Sequence, residues 1–133
     1  MNPADADLKQ LLTDARTIAI VGASSNPDKT SHGIMQKLQS VGYRVIPVNP
    51  RETEVLGERS YPSLIDVPER IDIVDVFRRA EDAPSIADDA VAIGAKALWL
   101  QLGVVSDEAR RIAEDAGLDY VENECTAIVH RHI

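Results

Sequence analysis

The chain has 133 residues, 44% of them hydrophobic, and a formal net charge of −8 at pH 7. That length predicts one domain, 1–133, able to bury a core, and the charge argues against a general nucleic-acid binder, which needs basic patches. A single cysteine excludes an internal disulfide; the polar start and the lack of an apolar run near the ~20 residues that span a bilayer predict a cytoplasmic protein with no membrane partner.

Asn2 and Pro3 can open a first helix as N-cap and first helical residue. Leu8, Leu11, Leu12 and Ala15 continue at helical spacing, so 1–16 reads as an N-terminal helix. Thr17–Val21 is a β-branched run ending at Gly22, the pattern of a buried strand. Ile34, Leu38 and Val41 predict a second helical stripe that stops at Gly42. Tyr43–Val48 reads as a second strand closed by Asn49-Pro50, and 51–62 as loop punctuated by Gly57 and Pro62. Ser63–Asp66 can add a helical turn. "IDIVDV", Ile71–Val76, predicts a third strand, and Pro84–Ile93 a helix stopped by Gly94. "ALWLQL", Ala97–Leu102, predicts a fourth strand. Ser106 caps a helix with Asp107 and Glu108 in its first turn, where the helix dipole favours acids. Gly117 stops it, Leu118–Val121 predicts a fifth strand, and 129–133 reads as a loose tail.

Strands alternating with helices call for an α/β fold: a doubly wound parallel five-stranded sheet with helices on both faces and the order 3-2-1-4-5. In such a sheet a ligand sits at the carboxyl ends of the strands, where the order reverses. The loop after the first strand is the best-placed segment. Gly22 permits a tight turn, and Ala23, Ser24 and Ser25 are small enough for backbone N–H groups to approach a phosphate. A dinucleotide fingerprint would have glycines where Ser24 and Pro27 stand, so an ordinary strand-to-helix turn is the competing reading. Where an NAD-binding chain places an acid for the ribose hydroxyls, this chain has Val48-Asn49-Pro50-Arg51 and no acid until Glu52. Arg51 and Lys29 suit a ribose with an extra phosphate, as in coenzyme A (CoA) or NADP; solvated surface cations are the alternative.

"IVGASSNPDK", "YRVIPVNPR", "YPSLIDVPERIDIVDVFR", "ALWLQLG" and a late Cys125-Thr126-Ala127-Ile128 stand in a particular order and spacing. From Asp7 to Ile128 the chain resembles the stand-alone CoA-binding proteins, small relatives of the CoA-binding domain of the succinyl-CoA synthetase α-subunit. The resemblance implies a Rossmann-like fold that binds CoA. It implies that Gly22, Ala23, Ser24 and Ser25 form the pyrophosphate loop and that Lys29 stands at an often basic place. Asn49, Pro50 and Arg51 match the segment flanking the adenosine and its 3′-phosphate. Phe77 and Arg78 match the rim after the third strand, and Gln101 and Gly103 the end of the fourth. Glu122 and Glu124 depart from the resemblance, standing where relatives often carry less acidic residues.

No catalytic residue is expected. Cys125 should lie on the ligand side of the sheet. It reads as a buried small side chain, as a partner for a mixed disulfide with the CoA thiol, or as a nucleophile. A nucleophile needs a neighbouring base or cation, whereas Glu122 and Glu124 stand beside it. His32, at the start of the second helix, is either a phosphate contact or a surface residue. His130 and His132 lack the companion ligands of a metal site, so no metal is expected. Asp72 and Asp75 point to opposite faces of a strand and cannot pair; Asp88 and Asp89 lie on an exposed helical face. The reading is a non-catalytic carrier or regulatory module for CoA or an acyl-CoA. The rivals are an NADP-dependent oxidoreductase, a partner-dependent acyl-CoA ligase component, and a scaffold that has lost its ligand. Apolar strand edges and helix faces leave room for a homodimer.

Overall fold

The computed structural model describes residues 2–133. In chain order it runs α1 (Asp5–Asp14), β1 (Thr17–Val21), α2 (Thr30–Ser40), β2 (Arg44–Val48), a ribbon of β3 (Glu54–Val55) and β4 (Glu58–Arg59), then β5 (Ile73–Val76), α3 (Ala83–Ala92), β6 (Ala97–Leu100), α4 (Asp107–Asp115), β7 (Asp119–Val121) and α5 (Thr126–Arg131). Successive strand residues point to opposite faces, and here both sets are apolar. Ala19, Val21, Val74, Val76, Leu98 and Leu100 pack against α3 and α4. Ile18, Ile20, Ile73, Ala97 and Trp99 face the other way, against α1, α2 and α5. Small residues on α3 and α4, among them Ala87, Ala90, Ala109 and Ala113, bring those helices close to the sheet and to each other.

The main sheet is parallel throughout, in the order β2-β1-β5-β6-β7. One parallel bridge, Val48 with Tyr61, extends it outside β2. With that bridge counted as a rudimentary third strand, the order is the expected 3-2-1-4-5, continued by β7. The segment expected to fill the third place, Ile71–Val76, does not do so: its core, β5, lies beside β1 in the fourth place. All four residues of β5 are buried, which suits a central strand covered on both faces and not an edge.

Four local expectations also change. Asn2 does not cap α1, whose N-cap is Ala4. Instead its side chain donates to the Glu122 carbonyl at 2.7 Å and accepts from the Glu122 N–H at 2.8 Å, tying the start of the chain to the end of β7. The inward face of α2 carries Ser31, Met35 and the expected Leu38, with the expected Ile34 partly buried against the core; Val41 is 36% exposed because the helix has ended by then. The stretch read as loop contains the β3–β4 ribbon, turned by Leu56 and Gly57, both at positive φ. The expected tail from residue 129 is the second half of α5, with Val129 buried against the α1–α2 side of the sheet and His130 edge-on to Tyr43. The Ser106 cap is as expected: its hydroxyl accepts from the Ala109 N–H at 3.1 Å.

Leu12 is fully buried where α1 meets the sheet and α5. Leu12→Ala should lower stability by about 3 kcal/mol in urea unfolding, through lost burial and the cavity left behind. A change below about 1 kcal/mol would mean that α1 is not part of the cooperative core.

Candidate functional site

A parallel sheet delivers every strand's carboxyl end to one side. The loops after β1, β2, β5, β6 and β7 therefore meet there, carrying all the expected site residues except His32, which lies in the first turn of α2. The tightest approach is at Gly22, with φ +93° and an N–H that donates to the Val48 carbonyl at 2.9 Å. A Cβ at this position would lie 2.9 Å from the Phe77 carbonyl oxygen and 3.0 Å from Arg78 Cδ. Glycine is needed here for its backbone conformation and for the space. Ala23 is fully buried, while Ser24 and Ser25 reach the surface.

The β1 and β2 loops are clasped by side chains. Asn49 donates from Nδ2 to the Ala23 carbonyl at 2.8 Å, and its Oδ1 accepts from the Arg51 N–H at 3.0 Å. Glu52 reaches further along the first loop. Its carboxylate accepts from the Ser25 N–H at 2.6 Å and from the Ser25 hydroxyl at 2.9 and 3.0 Å. The side chain of the residue that follows the expected Val48–Arg51 segment thus reaches the loop after β1, a placement its sequence position did not disclose.

Two depressions flank these loops. One, of about 200 Å³, is lined by Gly22, Val48, Leu64 and Ile86 together with the polar residues Arg78, Asp82, Ser85 and Asp89. The other, of about 490 Å³, is lined by Arg51, Phe77, Arg78, Arg79, Glu81 and Asp82. Arg78 lies 3.5 Å from Asp82 and Arg79 lies 3.8 Å from Glu81, both pairs well exposed. Among the described residues Arg51 and Lys29 form no ion pair. Lys29, exposed at the end of the first loop, and His32 line neither depression. A larger depression, about 680 Å³, lies at the opposite end of the sheet between Leu12–Arg16, Val41–Arg44 and His130. It has neither the small-residue loop nor the arginine cluster.

The remaining expected residues are drawn into internal contacts. The Gln101 side chain turns inward and donates to Asp75 Oδ1 at 2.7 Å and to the Thr126 hydroxyl at 3.0 Å. Gly103 donates its N–H to Asn123 Oδ1 at 2.8 Å. Cys125 is 5% exposed at the N-cap position of α5. The Glu122 carboxylate is engaged by Arg110 and by the Tyr120 hydroxyl.

A family model described as the CoA binding domain matches residues 16–131. The chain belongs to the CoA-binding domain family. The uncharacterized protein YneT of Bacillus subtilis is 38% identical over 129 residues, spanning 97% of this chain and 96% of that one. A hypothetical protein from Pyrococcus horikoshii OT3 superposes with a TM-score of 0.95 at 38% identity, covering 98% of this chain and 92% of its own. An ADP-forming acetate–CoA ligase of Archaeoglobus fulgidus is 25% identical over 128 residues; these span 89% of this chain but 19% of the ligase. The chain is therefore similar both to proteins of its own size and to one part of a much longer enzyme. Among the described residues no helix is long and apolar enough to cross a membrane.

In this CoA-binding domain the residue least evident in the sequence is Asp75. It is fully buried, accepting from Gln101 and, at 3.0 Å, from the Thr126 hydroxyl. Burial pushes its carboxyl up to about 7, against the opposing pull of its hydrogen bonds from Gln101 and Thr126. Between the ordinary aspartate range and that value the folded chain holds a proton that the unfolded chain has released. Asp75 therefore contributes less to stability as pH rises through this window. The stability difference between wild type and Asp75→Asn should move against the wild type by a few kcal/mol, to order of magnitude, from pH 4 to pH 8 in urea unfolding. A difference independent of pH would mean that Asp75 is ionised in both states.

Proposed function

We propose that this protein binds coenzyme A, free or acylated, across the carboxyl ends of β1 and β2, and that the whole chain serves as one binding domain with no chemistry of its own. One observation carries the reading. In a chain of net charge −8, Arg51, Arg78 and Arg79 gather around one depression beside a loop of small residues; Asp82 and Glu81 stand against the latter two, and Arg51 forms no ion pair among the described residues. Gly22–Ser25 receives the pyrophosphate through backbone N–H groups and hydroxyls. Asn49 and Pro50 hold the adjoining rim, and Arg51, with Arg78, meets the 3′-phosphate. The slot lined by Val48, Leu64 and Ile86, with Ser63, Ser85 and Asp89 beside them, takes the adenine, with Phe77 at the neighbouring rim. Lys29 and His32 add donors from the helix side of the loop. Gln101 and Gly103 shape the pantetheine end through the contacts they make within the protein.

The absence of chemistry is supported by how the reactive groups are used. Asp75 is committed to Gln101 and Thr126. Cys125 is buried, which disfavours both nucleophilic attack and ready exchange with the CoA thiol. A second reading, a component that joins partners to form an acyl-CoA ligase, is favoured by the likeness to acetate–CoA ligase, of which the chain spans 19%. NADP carries the same pyrophosphate and extra ribose phosphate and is the ligand to compete against.

Arg51→Ala should weaken CoA about tenfold in calorimetric titration, the scale of one charge-assisted contact, and dephospho-CoA less than about twofold. Raising the salt should narrow the gap, because Arg51 is exposed and screened. Equal losses on both ligands would remove Arg51 from the 3′-phosphate, and a wild-type preference for NADP would overturn the reading.

A further inference from the structure

The donors assigned to a phosphate already carry an anion. The Glu52 carboxylate accepts from both the backbone N–H and the hydroxyl of Ser25. These are the interactions a phosphate oxygen would make at a small-residue loop. Carboxylate and phosphate cannot share them: both are negative, and each needs the same short charge-assisted bonds. Asn49 makes a separate clasp, to the Ala23 carbonyl at 2.8 Å, which uses none of the loop's N–H groups. The two clasps therefore have different consequences for a ligand. The one from Asn49 is compatible with an anion on the loop, and the one from Glu52 competes with it.

We infer that Glu52 is an intramolecular competitor for the site: its carboxylate occupies the phosphate position at Ser25 and must be displaced by any ligand that binds there. The inference rests on the CoA reading above and goes beyond it by setting a threshold for entry. A small anion such as inorganic phosphate or pyrophosphate gains only the contacts that Glu52 gives up. CoA also gains Arg51 through its 3′-phosphate and burial of its adenine, so it can displace the carboxylate where a small anion cannot. The cost falls on both ligands alike and leaves their ratio unchanged; it keeps the weaker-binding small anions off the site at concentrations where CoA still binds. Arg51 precedes Glu52 in the chain, and both N–H groups are turned onto Asn49, to its side chain at 3.0 Å and its carbonyl at 3.2 Å. The cation offered to the 3′-phosphate and the anion to be displaced therefore stand on one short turn.

The test is calorimetric titration of wild type, Glu52→Gln and Glu54→Gln with CoA and with inorganic pyrophosphate. Glu54 is exposed in β3 and makes no contact with the loop, so its variant changes net charge equally and controls for a general electrostatic gain. Glu52→Gln should tighten both ligands about tenfold, the scale of one charge-assisted bond, with Glu54→Gln within about twofold of wild type. Glu52→Ala should behave like Glu52→Gln. CoA that binds wild type and Glu52→Gln equally would overturn the inference and leave the CoA reading standing. Parallel gains in the Glu52 and Glu54 variants would overturn it as bulk charge. Weaker CoA binding by Glu52→Gln would overturn it too, since Glu52 would then be a ligand contact. Pyrophosphate tightened by Glu52→Gln alone, with no protein binding CoA, would sustain the displacement and sink the CoA reading.

Discussion

Burial of a single parallel sheet on both faces governs where polarity can appear in this protein. β1, β5 and β6 carry apolar residues to both sides, and helices cover each. A polar side chain within these strands must find partners inside or pay for desolvation. Chemistry is therefore pushed to the strand ends, and parallel pairing gathers the carboxyl ends on one side. The small-residue loop, the arginine cluster and the adjoining slot are neighbours for that reason, although they come from segments far apart in the chain.

Those ends are joined by a set of long-range polar contacts. Asn49 and Glu52 fasten the β2 loop to the β1 loop. Asp75, the exception inside the sheet, joins β5 to Gln101 at the end of β6 and to Thr126 at the start of α5. Asn123 holds Gly103, and Asn2 holds Glu122. These contacts pair polar groups that range from the buried Asp75 to the exposed Ser25 and Gly103. Together they relate the rim segments to one another.

Much of this architecture was legible in the chain because its signals are local. β-branched runs, helix-stopping glycines and the Ser106 cap each act over a few residues. The place of Gly22–Ser25 at the carboxyl end of β1 was legible for the same reason: an apolar run ending in glycine is a local signal. What escaped depends on distant partners. The inward turn of Gln101 follows from Asp75, 26 residues earlier. Asn2 caps nothing locally because its partner is 120 residues away. Ile71–Val76 showed its strand character plainly, but its neighbour is chosen by two-sided burial and by Tyr61 taking the place outside β2. α5 is only six residues long, too short for periodicity to reveal, and it is held by packing against its neighbours. Glu52 was visible only as an acid too late for a ribose contact; that it folds back onto Ser25 is a property of the turn between them.

The account stands or falls on which end of the sheet receives CoA. The direct measurement is the change in backbone amide resonances of the isotope-labelled protein as CoA is added. The account predicts the largest shifts at Gly22–Ser25, Arg51 and Phe77–Arg79, with little change at Leu12–Arg16 or His130. Shifts centred on the depression between Leu12–Arg16 and His130 at the opposite end, or no shifts at millimolar CoA, would contradict it.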